Sequence, residues 1–372
     1  MTIPFNKPFL TGKEMHYMYQ AVYSGKISGN GIFTQKCQYF FEQRYGFKKA
    51  LLTTSCTDAL EMCAILADIM PGDEVIMPSY TFVSTALPFV RQGAKIVFVD
   101  SRSDHPGINE DEIEMLITSK TKAIVPVHYA GIACDMDKIM SIARKFNLLV
   151  IEDAAQAIDS YYNGKPLGSI GHLAAFSFHE TKNINSGEGG LLTINDDRFI
   201  KRSEIIWEKG TNRSEFFRGE VNKYGWVDVG SSFLPSEVIA AYLWAQIENI
   251  DEIQKKRKKI WNWYYEGLTE WAECNGIMLP VLPQYATNNG HMFYLICKSL
   301  SQRNDIIDKL KNENILAVFH YLSLHKSKFY NNKHDGRALV ESDRYSDTLV
   351  RLPFFYELQY EDVNSVISCL LK

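Results

Sequence analysis

Phe176-Ser177-Phe178-His179-Glu180-Thr181-Lys182-Asn183 runs into the glycine cluster Ser186-Gly187-Glu188-Gly189-Gly190. Upstream, Leu148-Leu149-Val150-Ile151-Glu152-Asp153 is an apolar strand that ends on two carboxylates. A lysine amine can hold an aldehyde cofactor as a Schiff base. An aspartate at a strand end can pair with a protonated pyridine nitrogen. The pair Lys182 and Asp153 therefore points to pyridoxal 5'-phosphate (PLP). Against this stands the ordinary fate of a lysine, a solvated surface position, and of an aspartate after a strand, a helix cap.

Outward from this stretch, short apolar runs alternate with helical segments. Candidate strands are Lys49 to Thr53, Glu74 to Pro78, Lys95 to Val99, Ala123 to Val127, Leu148 to Glu152, Ala174 to Phe178 and Gly190 to Ile194. Most are continuously apolar, the pattern of strands covered on both faces. Helical stretches such as Thr57 to Ile69 and Asp135 to Phe146 lie between them, which predicts an α/β domain with a mainly parallel sheet. The last two strands, joined by the glycine-rich loop, read as a hairpin. Ile247 to Tyr265 reads as a long charged and aromatic helix. Beyond it, His291 to Cys297, Arg303 to Asn312 and Leu316 to Tyr321 read as strand, helix, strand. The expected division is a large cofactor domain over 1–245 and a small α+β domain over 246–372. Lys326 to Val340 is polar and reads as a mobile loop.

The chain has 372 residues, a formal net charge of -4 and seven cysteines. The charge offers no basic surplus for nucleic acid. The basic run Lys255-Lys256-Arg257-Lys258-Lys259 reads as a solvated helix face. An odd number of cysteines with no Cys-x-x-Cys argues against a disulfide framework or zinc site and for a reducing cytoplasm. No run approaches the ~20 apolar residues of a membrane helix, and Met1 to Pro8 lacks a signal core. His128, His179, His320 and His325 match no zinc spacing. His179 is a candidate pocket residue or a packed one, and Tyr321 a candidate sugar contact.

Thr53-Thr54-Ser55-Cys56-Thr57-Asp58 follows a strand and opens a helix. Free N–H groups and the positive dipole end suit a phosphate there, with Ser55 and Thr57 adding hydroxyl donors; a plain Ser/Thr cap is the other reading. Phe82, in Pro78-Ser79-Tyr80-Thr81-Phe82, stands at the carboxyl end of the next strand, where ligands of open α/β sheets collect. It is placed to stack on a flat ring, or else to fill the core. Gln156 follows Asp153 by three residues and is a candidate partner for a ring hydroxyl. Glu152, one residue away on the strand, points to the other face.

In this order, Ser-Cys-Thr, Pro-Ser-Tyr-Thr-Phe, Glu-Asp-Ala-Ala-Gln, Phe-Ser-Phe-x-x-x-Lys-Asn and Gly-Glu-Gly-Gly resemble the DegT/StrS-type sugar-nucleotide aminotransferases, from Pro4-Phe5-Asn6 to Leu352-Pro353-Phe354. The resemblance implies the PLP-dependent transferase fold of the aspartate-aminotransferase type and a homodimer with shared active sites. It implies Lys182 and Asp153 as catalytic groups, with Gln156 near the ring hydroxyl and Phe82 on the ring. Cys56 (through its backbone), Thr57 and Ser177 would hold the phosphate. Many members carry Gly-x-Asn-x-Arg in a segment reaching the partner's phosphate. Here Gly230-Ser231-Ser232-Phe233-Leu234 stands instead, leaving Ser232 as the hydrogen-bond donor and Leu234 where the guanidinium would be. The common Arg-x-His-Gly segment reads Glu208-Lys209-Gly210.

The implied reaction moves the amino group of L-glutamate to a dTDP-linked 4-keto-6-deoxyhexose for surface polysaccharide. A 3-keto or gluco-specific aminotransferase is the nearest alternative. A deoxysugar dehydratase of this fold would carry histidine in place of Lys182. A non-catalytic PLP-binding regulator would need a DNA-binding segment, and no basic helix-turn-helix is visible.

Overall fold

The computed structural model describes residues 2–372. Seven strands form the main sheet: β1 (Lys49–Thr53), β2 (Glu74–Pro78), β3 (Lys95–Val99), β4 (Thr121–Ile124), β5 (Leu149–Asp153), β8 (Leu173–Ser177) and β9 (Gly190–Ile194). A two-stranded ribbon, β6 (Tyr161–Tyr162) and β7 (Lys165–Pro166), lies between β5 and β8 in the chain. The order across the main sheet is β1-β9-β8-β5-β4-β2-β3. All neighbours are parallel except those of β9, which runs antiparallel to both β8 and β1. The β8–β9 pair is the hairpin read from the sequence, and Lys182 sits in its connection. Apart from one- to three-residue shifts at strand ends, the seven strands are those expected.

The continuous apolar runs are explained by two cores, one on each face. Ala50, Leu52, Ile76, Val97, Val150 and Ala174 join one core. Their neighbours Leu51, Val75, Met77, Ile96, Ile151 and Ala175 join the other, as the two-residue period of a strand requires. This alternation carries Asp153 to the Ile151 face and Glu152 to the opposite one. The helix Cys56–Leu66 packs on the Ile151 face through Ala59, Leu60 and Cys63, so its N-terminus arrives beside Asp153.

A second sheet has the order β10-β12-β11, all antiparallel: β10 (Tyr294–Ile296), β11 (Val318–Phe319) and β12 (Leu349–Arg351). Its own core takes Ile260, Trp261, Tyr264 and Leu268 from the helix Ile250–Asn275, and Val363, Val366 and Leu370 from the helix Tyr360–Leu371. That long helix is continuous, and its first turns bury Ile250 and Ile253 in the main domain's core. Ile3 also belongs to the second core and bridges to Ile315.

Two expectations are corrected. The basic run is not solvated throughout: Arg257 is 3% exposed and donates to the carbonyls of Gly290 at 2.9 Å and His291 at 2.8 Å, on the inner face of its helix. The segment Lys326 to Val340 is not a free loop. Tyr330 is buried, and its hydroxyl accepts from Ile96 N and donates to Ile96 O, at 2.6 and 3.3 Å. Arg337 donates to Phe98 O at 2.8 Å. These contacts cover the edge strand β3, whose backbone groups would otherwise offer a template for another chain.

Candidate active site

Helix start, strand ends and the hairpin connection meet at a cavity of about 390 Å³, within the usual size of a small-molecule site. Cys56, Thr57, Phe82, Asp153, Gln156, Ser177 and Lys182 all line it. Ser232 does not. It is exposed on the surface of its own chain and bridges Glu208, while its neighbour Phe233 accepts from Thr54 N at 3.0 Å, just before the helix start.

Ser55 is the helix cap, accepting from Asp58 N at 3.1 Å. The Ser/Thr cap and the free N–H groups thus coexist: the cap uses the hydroxyl of Ser55 and leaves the Thr57 side chain at the cavity. Thr57 Oγ1 donates to Ser84 Oγ at 2.8 Å. Glycine is required opposite. A Cβ on Gly190 would come within 2.5 Å of Cys56 N and 2.4 Å of Ser55 C, so β9 can approach the helix start only without a side chain.

Asp153 is 5% exposed. Its Oδ2 accepts from Thr85 Oγ1 at 2.7 Å and its Oδ1 from Ala155 N at 3.2 Å. Burial raises its pKa, and these donors together with the charge of Lys182 work against that rise. On the other face, Glu152 accepts from Gly168 N, Ile170 N and Gly171 N and meets His128 Nε2 at 3.0 Å. His128 is thereby a packed histidine, and Glu152 a structural carboxylate.

Lys182 lies in a turn closed by its own N–H to His179 O at 2.9 Å. The adjacent Asn183 is pinned by His291 Nδ1 at 2.7 Å, Gln254 Oε1 at 2.8 Å and Asn289 O at 2.9 Å. Burial pulls the pKa of Lys182 down to about 8; Cys56 and Asp153 oppose this and Arg351 adds to it. An amine so placed gives up its proton far more readily than a solvated lysine, and the neutral form is the one that attacks a carbonyl or takes a proton.

Phe82 is 55% exposed at the cavity mouth, 5.9 Å from Tyr321 between ring centroids. Gln156 is already engaged, Oε1 accepting from Ala130 N at 2.6 Å and Nε2 donating to the Tyr321 hydroxyl at 3.0 Å. His179 lines the cavity, as do His320 and Tyr321. His325 does not; it reaches Ser79 Oγ at 2.8 Å behind the site. Among the described residues no group of three or more His, Cys, Asp or Glu is placed to hold a metal.

Thr85, His291 and Arg351 also line the cavity and were not read from the sequence. Thr85 stands just past the Pro78 to Phe82 segment, so a hydroxyl three residues after Phe82 was the available signal. His291 and Arg351 come from the distant second-sheet region and carry no local signature.

A helix N-terminus, an exposed ring, a buried carboxylate whose charge needs a cation, and an amine with a depressed pKa surround one space. They suit a planar aldehyde with a phosphate and a protonatable ring nitrogen. Comparison with known proteins agrees. Residues 9–371 match the DegT/DnrJ/EryC1/StrS aminotransferase family. The chain is 30% identical to the spore coat polysaccharide biosynthesis protein SpsC of Bacillus subtilis, over 99% of this chain and 96% of the relative. It is 35% identical to GDP-perosamine synthase of Caulobacter vibrioides, over 84% and 83%. The putative sugar aminotransferase Spr1654 of Streptococcus pneumoniae, solved in its PLP form, superposes with a TM-score of 0.90 at 26% identity, covering 100% of this chain and 98% of that one. The aminotransferase from Psychrobacter cryohalolentis gives 0.92 at 25% identity, covering 99% and 98%. The chain belongs to the DegT/DnrJ/EryC1/StrS family and is a PLP-dependent sugar aminotransferase.

Proposed function

We propose that the enzyme transfers the amino group of L-glutamate to C4 of a dTDP-linked 4-keto-6-deoxyhexose, giving the galacto-configured 4-amino-4,6-dideoxy sugar for surface polysaccharide. The observation that carries this reading is sequence wording around the site. Ile76-Met77-Pro78-Ser79-Tyr80-Thr81-Phe82-Val83-Ser84-Thr85, Pro126-Val127-His128-Tyr129-Ala130-Gly131, Phe178-His179-Glu180-Thr181-Lys182-Asn183, Lys209-Gly210-Thr211-Asn212-Arg213 and Ala241-Tyr242-Leu243-Trp244-Ala245-Gln246 resemble dTDP-4-amino-4,6-dideoxygalactose transaminase. Several of these residues line or back the cavity.

In this reading Lys182 carries the cofactor and then moves the proton at the donor's Cα. Its depressed pKa fits that task. Bound PLP supplies the electron sink. Asp153, steadied by Thr85 and Ala155 N, keeps the ring nitrogen protonated. Cys56 N, Thr57 and Ser177 take the phosphate at the helix start, and Phe82 covers the ring. Gln156, held by Ala130 N and the Tyr321 hydroxyl, would offer its second Nε2 hydrogen to the ring hydroxyl. The working unit is a homodimer in the cytoplasm, with Ser232 facing the partner's phosphate site. Exposed apolar side chains along the stretch leading to Ser232, Phe217, Tyr224, Trp226, Val227 and Val229, support it, since apolar surface left in water favours a covering partner.

The GDP-linked name of the Caulobacter relative favours one second reading, a GDP-linked acceptor. NMR of the product formed from dTDP-4-keto-6-deoxyglucose and L-glutamate tests the first. An axial amine at C4 is expected. An amine at C3, an equatorial amine, or turnover only with the GDP-linked sugar contradicts it.

A further inference from the structure

Arg351 lies on β12, the central strand of the second sheet, opposite Tyr294 of β10 and Val318 of β11. Val350 and Leu352 face that sheet's helical core. Leu349 faces the other way, into a cluster with Tyr80, Tyr129, Tyr294 and Tyr345. By the strand's period Arg351 shares the Leu349 face, and it lines the cavity that holds Lys182. Its Nε is shut off from solvent and meets no acceptor. Among the described residues its guanidinium forms no ion pair; its recorded side-chain contact is the ring of Phe5, 4.6 Å away. The groups that act on its charge besides burial are the tyrosines 129, 321 and 80, and no carboxylate is among them. The hydroxyls of Tyr80 and Tyr294 are likewise buried without partners.

A shielded, unpaired guanidinium is costly unless an anion arrives. The planar fork matches a carboxylate in two parallel hydrogen bonds. We infer that Arg351 receives the carboxylate borne by the amine-carrying carbon of the amino donor, which makes it the residue that selects an α-amino acid. This rests on the aminotransferase reading above.

Position favours the donor's carboxylate over the nucleotide's phosphates. The carboxylate is bonded directly to the carbon whose proton Lys182 moves, so its partner must stand close to Lys182. Arg351 is near enough to depress the pKa of Lys182. The phosphates of a sugar nucleotide are held away from C4 by the width of the sugar ring. Lys182 enters the cavity from the main sheet's hairpin and Arg351 from the second sheet, so the donor's Cα would lie between them. The acceptor sugar has no carboxylate, so Arg351 serves one half-reaction more than the other.

The two half-reactions are measured separately on R351Q and R351K. PLP-loaded enzyme is mixed with L-glutamate, amine-loaded enzyme with dTDP-4-keto-6-deoxyglucose, and the cofactor absorbance is followed in each. In R351Q the donor half-reaction should lose at least ~30-fold in kcat/KM, mostly through KM, because a desolvated charge pair is broken. Its loss should exceed that of the acceptor half-reaction by about tenfold or more. R351K keeps the charge without the fork and should fall between wild type and R351Q, which also guards against a misfolded R351Q. Equal losses in both half-reactions, a larger loss with the sugar, or an unaffected donor step overturns the assignment. A wild-type enzyme inert to every α-amino acid overturns the donor reading itself; an active wild type with an indifferent R351Q overturns only the role of Arg351.

Discussion

Thr85 Oγ1 donates to Asp153 Oδ2 at 2.7 Å, and both side chains are buried at the cavity. Thr85 belongs to a short 3-10 turn after β2, and Asp153 ends β5. The bond ties the turn that follows β2 to the end of β5, at the place where the ring nitrogen of PLP is proposed to sit. A donor aimed at a carboxylate favours its charged form.

Thr85→Val keeps the shape and removes that donor. The pKa of Asp153, already raised by burial, should rise further. The acid limb of the kcat profile should then move to higher pH, and kcat near neutrality should fall roughly tenfold, the worth of one hydrogen bond to a charged group. Steady-state rates from pH 5 to 9 check this. An unmoved profile with activity within about twofold removes Thr85 from the role.

Asp153→Asn should bind PLP and lose at least ~10²-fold in kcat, since an amide cannot hold a proton on the ring nitrogen and terms of this kind reach a few kcal/mol. Cofactor absorbance shows that PLP is retained, and turnover gives the loss. A decrease under about threefold would take Asp153 out of the site.

The reactivity of Lys182 should report its depressed pKa. Only the neutral amine attacks the aldehyde, so uptake of PLP by the cofactor-free protein should climb about tenfold per pH unit below the pKa. With a pKa pulled to about 8 by burial, the rate should level off above that pH. A rate that keeps rising towards pH ~10, as for a solvated lysine, would mean the amine is not buried as described.

Gly190→Ala would set a methyl group against the backbone of Ser55 and Cys56. Backbone cannot rotate aside as a side chain can, so the helix start must shift. A melting temperature lowered by an overpacking cost of about 1–3 kcal/mol, together with weaker PLP binding in titration, is expected. Unchanged affinity would show that the helix start does not grip the phosphate.

The parts legible in the sequence were those with local causes. Continuous apolar runs marked the seven main strands because each is buried on both faces, and the carboxylates after Ile151 stood out because they end such a run. Lys182 was legible from its place between a strand and a glycine cluster that must approach another backbone. Arg257 was not, since a charged run gives no sign of which member turns inward, and only the helix phase against Gly290 and His291 decides it. Tyr330 was hidden for a similar reason: its role depends on an edge strand more than 200 residues earlier in the chain, as its bond with Ile96 shows. His291 and Arg351 join the cavity only through the docking of the second sheet, which no local pattern encodes.

The account turns on Lys182 as the residue that holds PLP, and chemical trapping tests this most directly. The PLP-loaded protein is reduced with borohydride and digested, and the pyridoxyl group is located by mass spectrometry. The account predicts a single labelled peptide, modified at Lys182, and no label in Lys182→Ala. Label on any other lysine, or undiminished label in Lys182→Ala, would contradict it.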